Sequence, residues 1–157
     1  MKKPRIRHLG AALALALCTW PALAQTTVED AWVRATVPQQ KATGLFARIT
    51  SAQGGRLVAA SSPLAGVVEI HEMAMDGNVM RMRALPAGLA LPAGKAVKLE
   101  PGGYHVMLLD LKGQARDGDM VPVTLVVEDK DGRKETLEIK AAVRPLGAAA
   151  PMGGHKH

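Results

Sequence analysis

Two short stretches of this chain concentrate side chains able to hold a soft metal ion. Residues 71–82 read HEMAMDGNVMRM, and residues 105–107 read His-Val-Met. They hold His71, Met73, Met75, Met80, Met82, His105 and Met107. Thioether sulfur favours Cu(I), while imidazole nitrogen serves several metals. Two imidazoles and two thioethers, from His71, Met82, His105 and Met107, would make a neutral four-coordinate set. With no charged ligand it suits a soft monovalent cation better than Zn²⁺ or Mg²⁺. The sequence offers no oxygen-rich cage of the calcium or magnesium kind.

The spacing allows convergence if these stretches are strands. Side chains on a strand alternate faces, so His71, Met73 and Met75 share one face, and Met80 and Met82 share one. His105 and Met107 point to the same side, with Val106 to the other. Asp76-Gly77 signals a two-residue type I′ turn. With those two residues as the loop, Met75 pairs with Asn78, Met73 lies opposite Met80, and His71 lies opposite Met82. Directly opposed side chains are about 4.5–5.5 Å apart at Cβ, close enough for both to reach one ion. A four-residue loop would instead pair Met75 with Met80 and Met73 with Met82, and a three-residue loop would break the parity. The first register is the expected one. Met73 and Met80 then become neighbours, available as auxiliary ligands or as a methionine patch beside the site. Pro101-Gly102-Gly103 predicts a tight turn that places His105 and Met107 near one end of the fold.

Each residue also has a plainer explanation. A histidine on a strand is more often a surface or hydrogen-bonded residue than a ligand. Methionines at period two are more often core filler, and His-x-Met arises by chance. The plain readings lose ground because both histidines and several methionines fall in two short segments whose spacing permits convergence.

The elements that must position these residues are strands. Runs rich in Val, Leu and Ile alternate with Gly, Pro, Asp and Asn. Strands are predicted at 29–35, 44–51, 56–61, 67–75, 79–85, 96–100, 104–111, 121–128 and 136–143. No segment keeps a helical apolar period over three turns, and no internal repeat is present. Many short strands at this spacing predict an all-β sandwich or barrel with Greek-key connections.

The chain divides into three parts. Residues 1–24 have the pattern of a cleaved export signal: Lys2, Lys3, Arg5 and Arg7, then an apolar run from Ala11 to Leu17, then Ala22-Leu23-Ala24. That run is too short to span a bilayer. Cleavage after Ala24 is expected, with export of the mature chain from Gln25 onward. A lipid-anchored alternative would use Cys18, but bulky Leu17 stands where such sites take a small residue. Residues 25–144 form the β domain. Residues 145–157 form a Gly/Ala/Pro-rich tail with Met152, His155 and His157, expected to be flexible.

Removing the signal changes the chemistry. The remaining 133 residues suffice for one domain and one core. Four basic residues leave, so 16 basic residues face 14 acidic ones, a net charge of +2. With no basic run and only Trp32, Phe46 and Tyr104 as aromatics, nucleic-acid binding is not expected. Cys18, the single cysteine, leaves too. That excludes disulfides, thiolate metal sites and cysteine nucleophiles from the mature chain. A blue-copper electron carrier needs a cysteine thiolate and is disfavoured for the same reason. No nucleophile–base constellation suggests an enzyme. A binding module using the methionines as an adaptable apolar surface is the non-metal alternative.

These residues resemble those of a known family, the periplasmic copper chaperones called PCu(A)C. The family motif is His, ten residues, Met, about twenty-one residues, then His-x-Met. Here ten residues separate His71 from Met82, and 22 separate Met82 from His105. The extra residue falls in a Pro/Gly-rich stretch that can absorb it. The stretch GNVMRMRALPAGLALPAGKAVKLEPGGYHVMLLDL (77–111) is similar to the family's, as are AWVRAT (31–36) and VPVTLVVED (121–129). The resemblance implies a cupredoxin-like β-sandwich binding Cu(I) near its surface. It implies delivery to respiratory oxidase copper sites, especially the CuA site of cytochrome c oxidase subunit II, alongside a Sco-type thiol protein. A His/Met tail that binds Cu(II) occurs in some members, and Met152, His155 and His157 would be a thin version of it. The expected protein is a monomer and not an enzyme. The alternative within this reading is a periplasmic copper buffer or copper-tolerance protein without a dedicated acceptor.

Overall fold

The computed structural model describes residues 25–147. The expected export signal and Met152, His155 and His157 lie outside them. Ten strands are present: β1 (Thr26–Arg34), β2 (Ala42–Ser51), β3 (Gly55–Ser61), β4 (Ala65–Asp76), β5 (Val79–Ala84), β6 (Leu89–Leu91), β7 (Ala96–Leu99), β8 (His105–Leu111), β9 (Met120–Glu128) and β10 (Lys134–Arg144). Nine correspond to predicted strands. The tenth, β6, was not predicted, because three residues carry too little pattern. Its role is clear in place: Leu89 and Leu91 are buried, and the strand pairs with β3.

The strands follow one path, β5-β4-β8-β2-β1-β10-β9-β3-β6, with β7 also paired to β2. The pairings are antiparallel except β1 with β10, where Trp32 lies beside Ala142. The path folds over so that β3 lies against β4. The result is the cupredoxin-like β-sandwich that the sequence led one to expect. Its interior is aliphatic: Val33, Leu45, Ile49, Leu57, Val106, Leu108, Val123, Leu125 and Val143 are buried together. Each such side chain contributes about 1.5–3 kcal/mol relative to exposure.

Alternation along the strands gives the β4–β8–β2 layer a second, outward face. On β8, Val106 and Leu108 enter the interior, so His105 and Met107 must point out. On β2, Leu45 points in, leaving Gly44 and Phe46 outward. Phe46 packs against Trp32 of β1 with ring centroids 4.6 Å apart. Gly44 is required beneath that ring, since a Cβ there would lie 2.8 Å from the tip of Phe46.

The β4–β5 hairpin corrects the expected register. Asp76 pairs with Val79, Met75 with Met80, Met73 with Met82 and His71 with Ala84. The loop residues are therefore Gly77 and Asn78, not Asp76 and Gly77. Gly77 has φ +62° and Asn78 is not among the positive-φ residues. Glycine alone at the first loop position matches a type II′ turn, not the expected type I′. Asp76 stays in the strand, where its carboxylate reaches the Arg81 Nε at 2.8 Å. Moving the loop by one residue shifts the partner by two, so side-chain parity is preserved. Met73 and Met80 are consequently not neighbours, and His71 is not directly opposite Met82.

Candidate metal centre

The outward face of β5, β4, β8 and β2 assembles the four expected ligand residues from three strands. His71 on β4 lies directly opposite His105 on β8. Their rings meet edge to face, with centroids 5.6 Å apart and planes at 68°. Met82 sits one rung away from His71 on β5, and its Sδ lies 3.1 Å from His105 Nε2. Met107 follows His105 by two residues, between Glu69 of β4 and Gly44 of β2. Both histidines are only 7% exposed, whereas Met82 is 48% exposed. The nitrogen donors are thus sheltered and one sulfur donor faces solvent.

The hydrogen bonds assign a free nitrogen on each ring. His105 Nδ1 donates to the Gly103 carbonyl at 3.1 Å. The Pro101–Gly103 turn supplies that acceptor, with Gly102 at φ +86°. The lone pair of neutral His105 is then on Nε2, which faces Met82. His71 Nε2 donates to Glu69 Oε2 at 2.7 Å. Its Nδ1 is buried with no hydrogen-bond partner among the described residues. An unpaired buried polar nitrogen is costly, and a metal ion would relieve that cost. Carboxylate–imidazole pairs of this kind orient metal-binding histidines.

Burial holds the His105 pKa below its ordinary value of 6.5, and nearby His71 and Arg34 act in the same direction. The Gly103 carbonyl opposes them. The net effect favours the neutral ring, whose lone pair is available. A hollow of about 300 Å³ opens beside the site, and Arg34, Phe46, Met73, Met82, His105 and Met107 are among the residues lining it. The Arg34 guanidinium lies over the Phe46 ring, 5.7 Å from its centroid. A larger hollow of about 450 Å³ near Gln25, Ser51 and Arg133 contains neither histidine nor methionine.

Met73 reaches the site, opposite Met82 and at the edge of the hollow. Met80 does not; it pairs with Met75 at the exposed hairpin tip. Glu69, Phe46, Gly44 and Arg34 were not anticipated. The alternation that put His71 outward also put Glu69 outward, so that signal was available for Glu69. The other three come from strands distant in sequence. Among the described residues, no three His, Cys, Asp or Glu side chains converge on a common point. A metal ion held here would therefore need the thioethers to complete its coordination.

Comparisons with known proteins bear on the fold and the family. Residues 26–143 match the family model described as "Putative lipoprotein LpqE-like". A protein of Leifsonia xyli subsp. xyli, named as a putative lipoprotein, is 32% identical over 128 residues, covering 76% of this chain and 77% of its own. The apo PCuAC domain of PmoF1 superposes with a TM-score of 0.61 at 29% identity, covering 77% of this chain and 94% of that domain. The solution structure of DR1885 from Deinococcus radiodurans with Cu(I) gives a TM-score of 0.61 at 32% identity, covering 81% of this chain and 83% of that one. The copper-bound PCuAC domain of PmoF2 gives 0.58 at 25% identity, covering 79% and 96%. On the match over 26–143 and these neighbours, the chain belongs to the PCuAC family, matching its LpqE-like model.

Proposed function

We propose that this protein is an exported copper chaperone that carries one Cu(I) ion as cargo. His71, His105, Met82 and Met107 would bind it, and Met73 would stand in reserve beside Met82. The observation that carries this reading is the 3.1 Å approach of Met82 Sδ to His105 Nε2, with His71 directly opposite. Copper in the relatives supports the choice of metal: one neighbour is described with Cu(I) and another as copper-bound.

The donor set suits a carrier. All four ligands are neutral, so Cu(I) retains its charge in the site and no proton need leave with it. The histidines are buried and Met82 is half-exposed. An acceptor can therefore displace the outer thioether first while the nitrogens still hold the ion. Thiolates are stronger Cu(I) ligands than thioethers, which gives transfer a direction. The acceptor in this reading is the CuA site of cytochrome c oxidase subunit II, with a Sco-type thiol protein acting alongside. The tail residues Met152, His155 and His157 would add a separate Cu(II) site. The mature chain would be periplasmic and begin at Gln25. The family model and one relative, both described as putative lipoprotein, favour a second form anchored through Cys18, and the intact mass of exported protein distinguishes the two.

The test is a competition titration of the exported chain against a chromogenic Cu(I) chelator, with and without residues 145–157. One tightly held Cu(I) in both forms is expected. A truncated protein that binds no Cu(I) would overturn the reading. Mixing the loaded protein with a soluble oxidase subunit II domain then tests transfer. Copper that stays on the carrier would point to buffering instead.

A further inference from the structure

The β4–β5 hairpin extends beyond the sheet that supports the histidines. The β4–β8 pairing ends at His71 and His105, so residues 72–76 of β4 pair only with β5. Every residue of β5 is exposed. This arm is a two-stranded ribbon, and its two faces differ in kind. One face is ionic: Glu72 accepts from Arg83 at 2.6 Å, and Asp76 from Arg81 at 2.8 Å. The other face presents Met73, Met75, Met80 and Met82 and no other side-chain type on those two rungs.

The register stacks these methionines in two rungs. Met75 and Met80 form the outer rung, and they are 62% and 49% exposed. Met73 and Met82 form the inner rung, which borders the hollow and touches His105. Opposed side chains have Cβ atoms about 4.5–5.5 Å apart, so both sulfurs of a rung can reach one ion. Successive rungs are about 6.8 Å apart, two residues along a strand. Long, unbranched methionine side chains can span that step.

An exposed ribbon gains nothing from core packing. An apolar docking face would be served as well by Ile or Val, which strands favour more strongly than Met. What methionine adds is a sulfur at all four positions. We propose that Met75 and Met80 form a second, weaker Cu(I) site at the hairpin tip. From it the ion passes to the Met73–Met82 rung and then to His105, His71 and Met107. Each step forms one Cu–S or Cu–N bond as another breaks, and the ion stays monovalent throughout. The destination of this path rests on the proposed Cu(I) site; the outer rung does not.

The experiment follows the methionine methyl signals of the mature chain by NMR while Ag(I), a redox-inert stand-in for Cu(I), is added. The first equivalent should shift Met82 and Met107. Further Ag(I) should shift Met75 and Met80 together, in fast exchange. The double variant Met75→Leu/Met80→Leu should keep the first event and lose the second. Its loading from a Cu(I)–chelator complex should be several-fold slower in stopped flow, at unchanged final affinity. Circular dichroism checks that both proteins are folded. Met75 and Met80 signals that stay still past two equivalents would overturn the outer site. Loading at the wild-type rate by the double variant would overturn the path. Shifts at Met75 and Met80 without any at Met82 or Met107 would instead sink the four-residue site and leave the outer rung standing.

Discussion

His105 Nε2 lies 3.1 Å from Met82 Sδ, and this contact depends on strands that are not paired with each other. Met82 belongs to β5 and His105 to β8, with β4 between them in the sheet. Met82 therefore reaches across β4 from the hairpin edge. The hairpin carries the proposed outer donor and the sheet carries the proposed inner ones, so the two can be weakened separately.

Removing the outer donor should cost affinity without costing the fold. Met82→Ala leaves both histidines and Met107 in place, and its side chain is 48% exposed. Cu(I) affinity should fall by about tenfold or more, near 1.4 kcal/mol, with the thermal midpoint of the metal-free protein unchanged. His105→Ala should fall further, because it removes the donor that Met82 faces. Chelator competition and a thermal melt on the same samples check both.

Glu69 should matter to copper although it is not in the donor set. Its carboxylate accepts the His71 Nε2 proton at 2.7 Å and thereby leaves Nδ1 free. Partners of this kind typically contribute 10–100-fold in metal affinity. Glu69→Ala should lose about that much, and Glu69→Gln, which can still accept a hydrogen bond, should lose less. Nitrogen-15 NMR of the histidine rings should report the Nε2–H form for wild-type His71 and a mixture for Glu69→Ala. An unaltered tautomer in the alanine variant would refute the assignment.

The lowered pKa of His105 has a definite sign for stability. The folded pKa lies below the ordinary 6.5, so the unfolded chain takes up this proton first as pH falls. The contribution of neutral His105 is full above pH 6.5 and is lost as pH drops through its folded pKa. Metal-free wild type should lose stability between neutral and mildly acidic pH, and His105→Gln should lose less. Urea unfolding at several pH values checks this. Cu(I) binding should persist somewhat below pH 6.5, since the ring resists protonation there.

Gly44→Ala should damage the site from behind. The added Cβ would sit 2.8 Å from the Phe46 ring, which is itself held against Trp32. The ring must move, and Gly44 also lies beside Met107. A destabilisation of about 1–3 kcal/mol is expected, as for other overpacked sites. Near-ultraviolet circular dichroism of Trp32 and Phe46 should change with it, and Cu(I) affinity should drop.

Much of this arrangement was readable from residue order alone because it is local. Parity along a strand follows from the backbone, so His105 and Met107 had to share a face, with Val106 on the other. Parity also survived the error at the hairpin, because a turn displaced by one residue changes the partner by two. The register itself was not readable. Asp76-Gly77 and Gly77-Asn78 are both acceptable turn pairs, and the structure has Asp76 in the strand beside Arg81. The pairing of His71 with His105 required β4 and β8 to become neighbours across 34 positions of sequence. The Phe46, Gly44 and Arg34 wall required β1 and β2 to join them. Sequence determined which candidate donors this protein owns and which way most of them point, since both are properties of a residue and its immediate neighbours. Tertiary structure decided which donors meet, which ring nitrogen each histidine leaves free, and which methionines stay exposed on the arm, since those depend on contacts between distant strands.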